Sequence, residues 1–457
     1  MNRVTKRTWL VSLFLIVLVV GLVAFLGEYM VKSDEWVSFA GSPHVYNSTN
    51  LGCGVITDRT GQTLLDMNES RVYADDATTR KSTLHWLGDR DGFISASVVT
   101  AYAGQMVGFD RFNGVYNAAG EGGQACLTLS VKVQNAALEA LNGRKGVVAV
   151  YNYKTGEILC AVTAPTYDPD NVPNISGDTS GAYDGVYLNR FLQSAYVPGS
   201  IFKVVTTAAA LECVPDIQQQ TFTCTGKREY GTEAVTCEKA HGTVNLRQAL
   251  ASSCNCAFAQ IAEQVGKKNM VKYVDAFHVA DAITFDGVRT VKGNYDISDT
   301  APVSFAWSCI GQHSDLVNPA RFMRFMGAVA DGGVGAEPHL MEQVNNGSDV
   351  TYRAKTRRGD RIMDQETADT LRQLMRNNVQ SVYGDWNFPG LSVCAKSGTS
   401  QLGGGEKSNA MFAGFVENAE YPLAFMVVVE NGGYGSHTCV PILSKVLTVC
   451  KEVMDSE

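Results

Sequence analysis

In this chain of 457 residues, the arrangement best able to do covalent chemistry is Ser200-Ile-Phe-Lys203, which follows Pro198-Gly199 and opens an apolar stretch. On a helix, residues i and i+3 share a face, so the hydroxyl and the amine can meet. A serine hydroxyl is a weak nucleophile until a neighbouring base takes its proton. A lysine is such a base only when neutral, a state favoured by burial and by a nearby positive charge. Phe202 and Val204 offer apolar surroundings, and no other serine in the chain has a lysine three residues later. The same letters also fit a helix start with an ordinary serine and a solvated lysine.

Two further groupings bear on that choice. Ser253-Cys254-Asn255 lies at the start of or within a helical pattern, QALASSCNCAFAQIAEQVG, and could set a hydroxyl and a carboxamide beside the first serine. Ser48-Thr49-Asn50 has the same form in a featureless region, so this grouping says little alone. Lys396-Ser397-Gly398-Thr399 ends the strand-like run LSVCAK. A strand edge of this kind presents a charge, hydroxyls and a backbone N–H to a carboxylate and a carbonyl, and the glycine keeps the edge open to an approaching backbone. Lys154-Thr155-Gly156 has similar letters but precedes the serine and reads as turn chemistry.

The elements that must position these residues follow from periodicity. GVITDRTGQTLLD (54–66) predicts two short strands about Thr60-Gly61, and LSVKVQNAALEALNG (129–143) a helix stopped by Asn-Gly. VVAVYNYKTGEILCAV (147–162) predicts a hairpin, residues 201–212 and 245–265 helices, and 391–396, 411–416 and 423–430 three strands of an antiparallel meander closed by a helix over 442–454. Strands at both ends with helices between them predict an α+β fold, an antiparallel sheet sandwiched by helices. A small mixed α+β domain precedes it, with the boundary near 143–146.

Arg3, Lys6 and Arg7 precede an uncharged apolar run from Trp9 to Leu26, long enough for a membrane helix. Gly27, Glu28 and Tyr29 follow it without a small-x-small cleavage site, and the basic flank places the rest of the chain outside the cytoplasm. A cleaved signal peptide is the alternative. A net charge of −8 without long charged runs argues against a nucleic-acid partner. Among the 12 cysteines there is no C-x-x-C pair, and the seven histidines are scattered, so the spacing predicts no metal site. Cys224 and Cys237 flank a polar loop that a disulfide could staple, with buried free thiols as the other reading. Gly403-Gly404-Gly405 leads to a strand rather than a helix, and so reads as a rim loop rather than a phosphate loop.

In chain order the groupings are S-x-x-K, S-x-N and K-S-G-T, the order known in class A β-lactamases and penicillin-binding proteins. With GVITDRTGQTL, VAVYNYKTGEILCAVTAPTYDPD, HGTVNLRQALASSCNCAFAQIA and AKSGTSQLGGGEKSNAMFAGF, the sequence resembles a class B penicillin-binding protein, a membrane-anchored peptidoglycan D,D-transpeptidase, over nearly its whole length. It departs modestly, with Ser397 for the commoner threonine and Cys254 at the middle of S-x-N.

The resemblance implies a cytoplasmic segment 1–8, an anchor 9–31, a pedestal 32–145 and a transpeptidase domain 146–457. It implies Ser200 as nucleophile, Lys203 as base, Ser253 as proton relay and Lys396 as its electrostatic partner. Asn255, Ser397, Gly398 and Thr399 would bind the donor peptide, and the N–H groups of Ser200 and Thr399 would form the oxyanion hole. No cofactor is expected. The implied partners are donor and acceptor stem peptides, β-lactams, the membrane and, through the pedestal, other cell-wall proteins. A D,D-carboxypeptidase, a β-lactamase or β-lactam sensor, and a silent scaffold are the competing readings.

Overall fold

Five runs of seven or eight apolar-rich residues build the centre of the protein. In the computed structural model, which describes all residues except 1, 40, 44, 48, 49, 95–97, 117–121, 299, 401–406 and 457, they form one sheet. Its order is Val393–Ser400, Asn409–Val416, Leu423–Val429, Gly146–Asn152, Ile158–Ala164, and every neighbouring pair is antiparallel. Successive side chains on a strand point to opposite faces, and here both faces are covered. Val147, Ala149 and Tyr151 enter one core, while Val148 and Val150 enter another. Along the next strand but one, Met411, Ala413 and Phe415 join the first core, and Ala410, Phe412 and Val416 the second. Burial on both sides explains why these strands read as unbroken apolar runs rather than as alternating patterns.

Two helices cover the second core. Val131–Leu141 contributes Val133, Ala137 and Leu141, and Gly435–Ser456 contributes Leu443, Leu447 and Cys450. The first of these stops where Asn142 turns left-handed (φ 47°) and its N–H returns to Leu138 and Glu139 carbonyls, a helix end that asparagine tolerates. Helices Lys203–Cys213, Asn255–Ala276 and Pro319–Ala330 cover the first core with Val204, Val205, Phe258, Ile261, Phe322 and Phe325.

The expected strands about Thr60-Gly61 are Val55–Thr57 and Thr63–Asp66. They belong to a second, six-stranded sheet in the order Asp349–Arg353, Met341–Asn346, Gln124–Leu127, Val55–Thr57, Thr63–Asp66, Val72–Tyr73. Two of its strands thus come from far down the chain. The expected helix over 245–265 is two helices, Leu246–Ala251 and Asn255–Ala276, broken at Ser252–Cys254. The first opens with a capping box between Asn245 and Gln248, which satisfies two end donors at once. The N-terminal helix Asn2–Val37 carries a span, Arg3–Ser33, that is long and apolar enough to cross a membrane.

Phe425 is fully buried in the second core and stacks on Phe412 at 5.9 Å. Phe425→Ala should lower unfolding stability by about 3–5 kcal/mol through lost burial and a residual cavity. The check is the denaturant midpoint, which should fall with little change in slope.

Candidate active site

Ser200 sits in a tight turn, Gly199–Phe202, that runs directly into helix Lys203–Cys213. Gly199 has φ +55°, and a Cβ there would lie 2.7 Å from the Thr399 carbonyl oxygen, so only glycine allows this approach. Its N–H donates to Gly311 O at 2.7 Å, and Thr206 Oγ1 donates to Cys309 O at 2.6 Å, so segment 309–311 holds the turn from below. Phe202 stacks on Tyr295 at 5.4 Å.

The Lys203 amine is fully buried and lies 2.8 Å from Ser200 Oγ, 2.7 Å from Asn255 Oδ1, and 3.0 Å from both Ser253 O and Ser253 Oγ. Asn255 Oδ1 and Ser253 O can only accept, so they take two N–H bonds. In the neutral amine this leaves the lone pair for a hydroxyl. Burial, followed by the charge of Lys396, holds the Lys203 pKa well below its ordinary value. The alternative of a solvated lysine at a helix start is thereby removed.

Ser253 occupies the break between its two helices in a left-handed conformation (φ 53°). Its hydroxyl stands between two amines, with Lys203 Nζ at 3.0 Å and Lys396 Nζ at 3.2 Å. Lys396 is also fully buried, donates to Ser397 O at 2.9 Å, and has its pKa pulled by burial down to about 7. Asn255 spends its oxygen on Lys203 and one N–H on Thr236 O at 2.8 Å, keeping a second N–H for a ligand.

Strand Val393–Ser400 carries the third grouping along the sheet edge. Tyr383, absent from the sequence-based set, accepts from Ser397 N at 3.0 Å, and its hydroxyl lies 3.0 Å from Ser397 Oγ. Either hydroxyl can donate in that second bond. Thr399 Oγ1 accepts from Gly435 N at 3.2 Å, which leaves its own hydrogen for an outward acceptor. Tyr383 ends a one-turn wide helix, Val379–Tyr383, and nothing in the spacing of the sequence marks it. Gly398 has a different role from the expected open edge. A Cβ on it would lie 2.8 Å from Pro198 O and 3.0 Å from Ile201 Cγ2, so the glycine lets the strand close on the nucleophile turn.

Ser200, Lys203, Ser253, Asn255 and Lys396 are thus joined in one hydrogen-bonded group, with Ser397, Gly398 and Thr399 lining the adjoining strand. Lys154-Thr155-Gly156 is in the hairpin turn, where Lys154 pairs with Asp331. Ser48-Thr49-Asn50 and Gly403-Gly404-Gly405 fall at or within positions outside the described residues. His241 immediately precedes the short strand Gly242–Asn245. All 12 cysteines are free, so the staple between Cys224 and Cys237 is not formed. Instead Cys224, Cys237, Cys254 and His241 converge.

A serine beside a buried lysine, bridged by a second serine to a second buried lysine on a sheet edge, is the arrangement an active-serine enzyme needs. Residues 146–448 match the penicillin binding protein transpeptidase domain, and the chain belongs to that family. It is 28% identical over 341 residues to the peptidoglycan D,D-transpeptidase PbpA of Mycolicibacterium smegmatis, covering 68% of each chain. It is 26% identical over 346 residues to stage V sporulation protein D of Bacillus subtilis, covering 70% of this chain and 52% of that one. The fold matches the D,D-transpeptidase domain of a peptidoglycan glycosyltransferase from Eggerthella lenta (TM-score 0.76, 25% identity, 88% of this chain and 98% of that chain). It also matches penicillin-binding protein A of M. tuberculosis, solved as a ceftriaxone acyl-enzyme (TM-score 0.75, 22% identity, 87% and 98%).

Gly398→Ala should force the strand away from Pro198 and Ile201 and so separate Thr399 from Ser200. The expected result is a loss of about 100-fold or more in the rate of labelling by a fluorescent penicillin, the scale of one misplaced oxyanion donor. Wild-type labelling with a folded Gly398→Ala protein would contradict that reading.

Proposed function

We propose that this chain is a serine peptidoglycan D,D-transpeptidase that forms an acyl-enzyme on Ser200. The observation that carries the reading is the Lys203 amine, buried, with both its N–H groups committed to fixed acceptors and Ser200 Oγ 2.8 Å away. Ser200 Oγ attacks the carbonyl of the penultimate D-Ala of a stem peptide while its proton passes to Lys203. The N–H groups of Ser200 and Thr399 stabilise the oxyanion. The peptide bond to the terminal D-Ala then breaks, and Ser253, between the two lysines, relays the proton to the leaving amine. The hydroxyls of Ser397 and Thr399 bind the terminal carboxylate, with the Lys396 charge behind them, and Asn255 donates its remaining N–H to the donor peptide. An acceptor amine from a neighbouring strand attacks the ester and frees Ser200. β-Lactams enter by the same first step and stop at the ester.

Transfer to an amine is favoured over hydrolysis because, among the described residues, no carboxylate is hydrogen-bonded to Ser200, Lys203 or Ser253 to activate water. We assign residues 146–457 to the transpeptidase domain, apart from strands Met341–Asn346 and Asp349–Arg353, which complete the pedestal sheet. We assign 32–145 to a pedestal that docks other cell-wall proteins, apart from helix Val131–Leu141, which packs on the central sheet, and 9–31 to a single membrane anchor. Arg3, Lys6 and Arg7 ahead of the anchor favour a cytoplasmic N-terminus and an external catalytic domain.

Ser200→Ala should abolish covalent labelling by fluorescent penicillin, and Lys203→Ala should slow it by about 100- to 10,000-fold, the usual worth of a positioned base. Stable labelling of folded Ser200→Ala would overturn the reading, and rapid turnover of the wild-type label would make the enzyme a β-lactamase.

The two depressed lysines also set a pH profile. As pH falls through the lowered pKa of Lys203, the amine is protonated, its lone pair is lost, and acylation slows. As pH rises through about 7, Lys396 loses the charge that attracts the carboxylate. The second-order acylation constant should therefore be bell-shaped, and Lys396→Arg should remove the alkaline limb by keeping the charge. An unchanged limb in that variant would assign it to another group.

A further inference from the structure

Far from Ser200 in the chain, a short loop of the N-terminal domain, residues 110–115, carries Phe112 with its ring turned out of the protein, 82% exposed. The loop is tied to the far end of the apolar N-terminal helix. Arg111 donates from Nη1 to Met30 O at 2.8 Å, and its carbonyl accepts from the Tyr29 hydroxyl at 2.7 Å. At the loop base Phe109 stacks on Tyr116 at 5.2 Å, and the Tyr116 hydroxyl lies 3.5 Å from Val37 O. We propose that this loop is a second membrane contact, which seats Phe112 in the lipid headgroup layer beside the anchor. The proposal rests on the reading of residues 9–31 as that anchor.

The height of the two ties carries the proposal. A helix rises about 1.5 Å per residue, so Trp9 to Leu26 covers about 27 Å. That nearly fills a hydrocarbon core of about 30 Å and brings Leu26 to its outer edge. Tyr29 and Met30 then lie about 4–6 Å beyond Leu26, inside a headgroup layer about 5–7 Å deep on each side. Helical side chains lean toward the N-terminus, here the membrane side. The Tyr29 hydroxyl, and the Arg111 carbonyl that it meets, therefore sit no higher than Tyr29 itself. Phe112 is one residue on, about 3.8 Å away along the chain. Any tilt of the helix lowers these heights further. The ring of Trp36 is at the same level, 6.4 Å from Tyr29 and 6.0 Å from Phe25, and Trp and Tyr are the residues that gather at membrane interfaces.

The loop is also built to lose water cheaply. Main-chain groups that leave water need other partners, and this loop supplies them itself. Asp110 N donates to Val115 O and Gly114 N to Asp110 O, each at 2.8 Å. The Asp110 carboxylate accepts from Phe112 N at 2.8 Å and from Asn113 N at 3.2 Å. Gly114, at φ +67°, lets the turn close. What the tip brings to the lipid is thus chiefly an aromatic ring, with the Arg111 cation beside it at the level of lipid phosphates. A single helix leaves the pedestal free to swivel about the anchor. A second contact fixes how the pedestal, and the Ser200 site it carries, faces the membrane.

The test is photo-cross-linking of the full-length protein in liposomes of phosphatidylethanolamine and phosphatidylglycerol. A benzophenone amino acid replaces Phe112, Leu22 within the anchor, or Trp386, which is 81% exposed on the transpeptidase domain. Lipid adducts are expected at positions 112 and 22, with none at 386. Tyr29→Phe combined with Arg111→Ala removes both ties, and should abolish the adduct at 112 while leaving that at 22. Each protein is shown to be folded by its labelling with fluorescent penicillin in detergent, which none of these changes should alter. A lipid adduct at 22 but not at 112 would overturn the second contact and leave the anchor standing. Adducts at neither position would remove the anchor reading, and this proposal with it. A lipid adduct at 386 as well, or an adduct joining position 112 to a second copy of the chain, would overturn the contact. So would an adduct at 112 that survives loss of both ties, since the geometry that places the tip would then be idle.

Discussion

The structure around Ser200 depends on one constraint, the cost of placing ammonium groups in a dry interior. Lys203 and Lys396 are both fully buried and stand on either side of one serine hydroxyl. Two like charges that close, with little water between them, repel strongly. Burial, and then the charge of Lys396, hold the Lys203 pKa well below its ordinary value, the direction a lysine needs if it is to accept a proton.

Each half of the fold brings one member of that pair. The helical side supplies Ser200, Lys203 and Ser253, and the sheet supplies Lys396 from its edge strand. An edge strand exposes unpaired main-chain groups that another extended chain can join. Here the nucleophile turn lies directly against that edge, with Gly199 and Gly398 permitting the contact. A peptide lying along the strand thus meets the serine as a consequence of how sheet and helices pack. The sheet can hold this edge rigidly because both of its faces are buried against helices.

The break at Ser252–Cys254 shows how local strain serves the same end. A continuous helix would direct Ser253 along a single face. The left-handed residue at 253 turns its hydroxyl and its carbonyl together toward Lys203, and starts a new helix at Asn255. The cysteine cluster lies against this break and against the ribbon that orients Asn255.

Much of this was legible in the sequence for physical reasons. Strands buried on both faces must be apolar throughout, so the hairpin at 147–162 and the meander near the C-terminus showed in composition alone. Asn142-Gly143 marked a helix end because asparagine and glycine accept left-handed backbone. Ser200-Ile-Phe-Lys203 is local, and helical geometry joins residues three apart whatever the rest of the chain does. Tyr383 could not be read, because its bond to Ser397 depends on how a one-turn helix packs against a strand. The cysteine cluster was missed for the same reason: its four residues are separated by 12, 3 and 12 others, and only the pairing of Thr221–Cys224 with Gly242–Asn245 brings them together. The sequence by itself determined which residues could supply a nucleophile, a base and a charge, since side-chain chemistry and short-range geometry are local. Tertiary structure decided that the Lys203 pKa is held well below its ordinary value and which fixed acceptors its amine meets, because burial and hydrogen-bond partners come from distant parts of the chain.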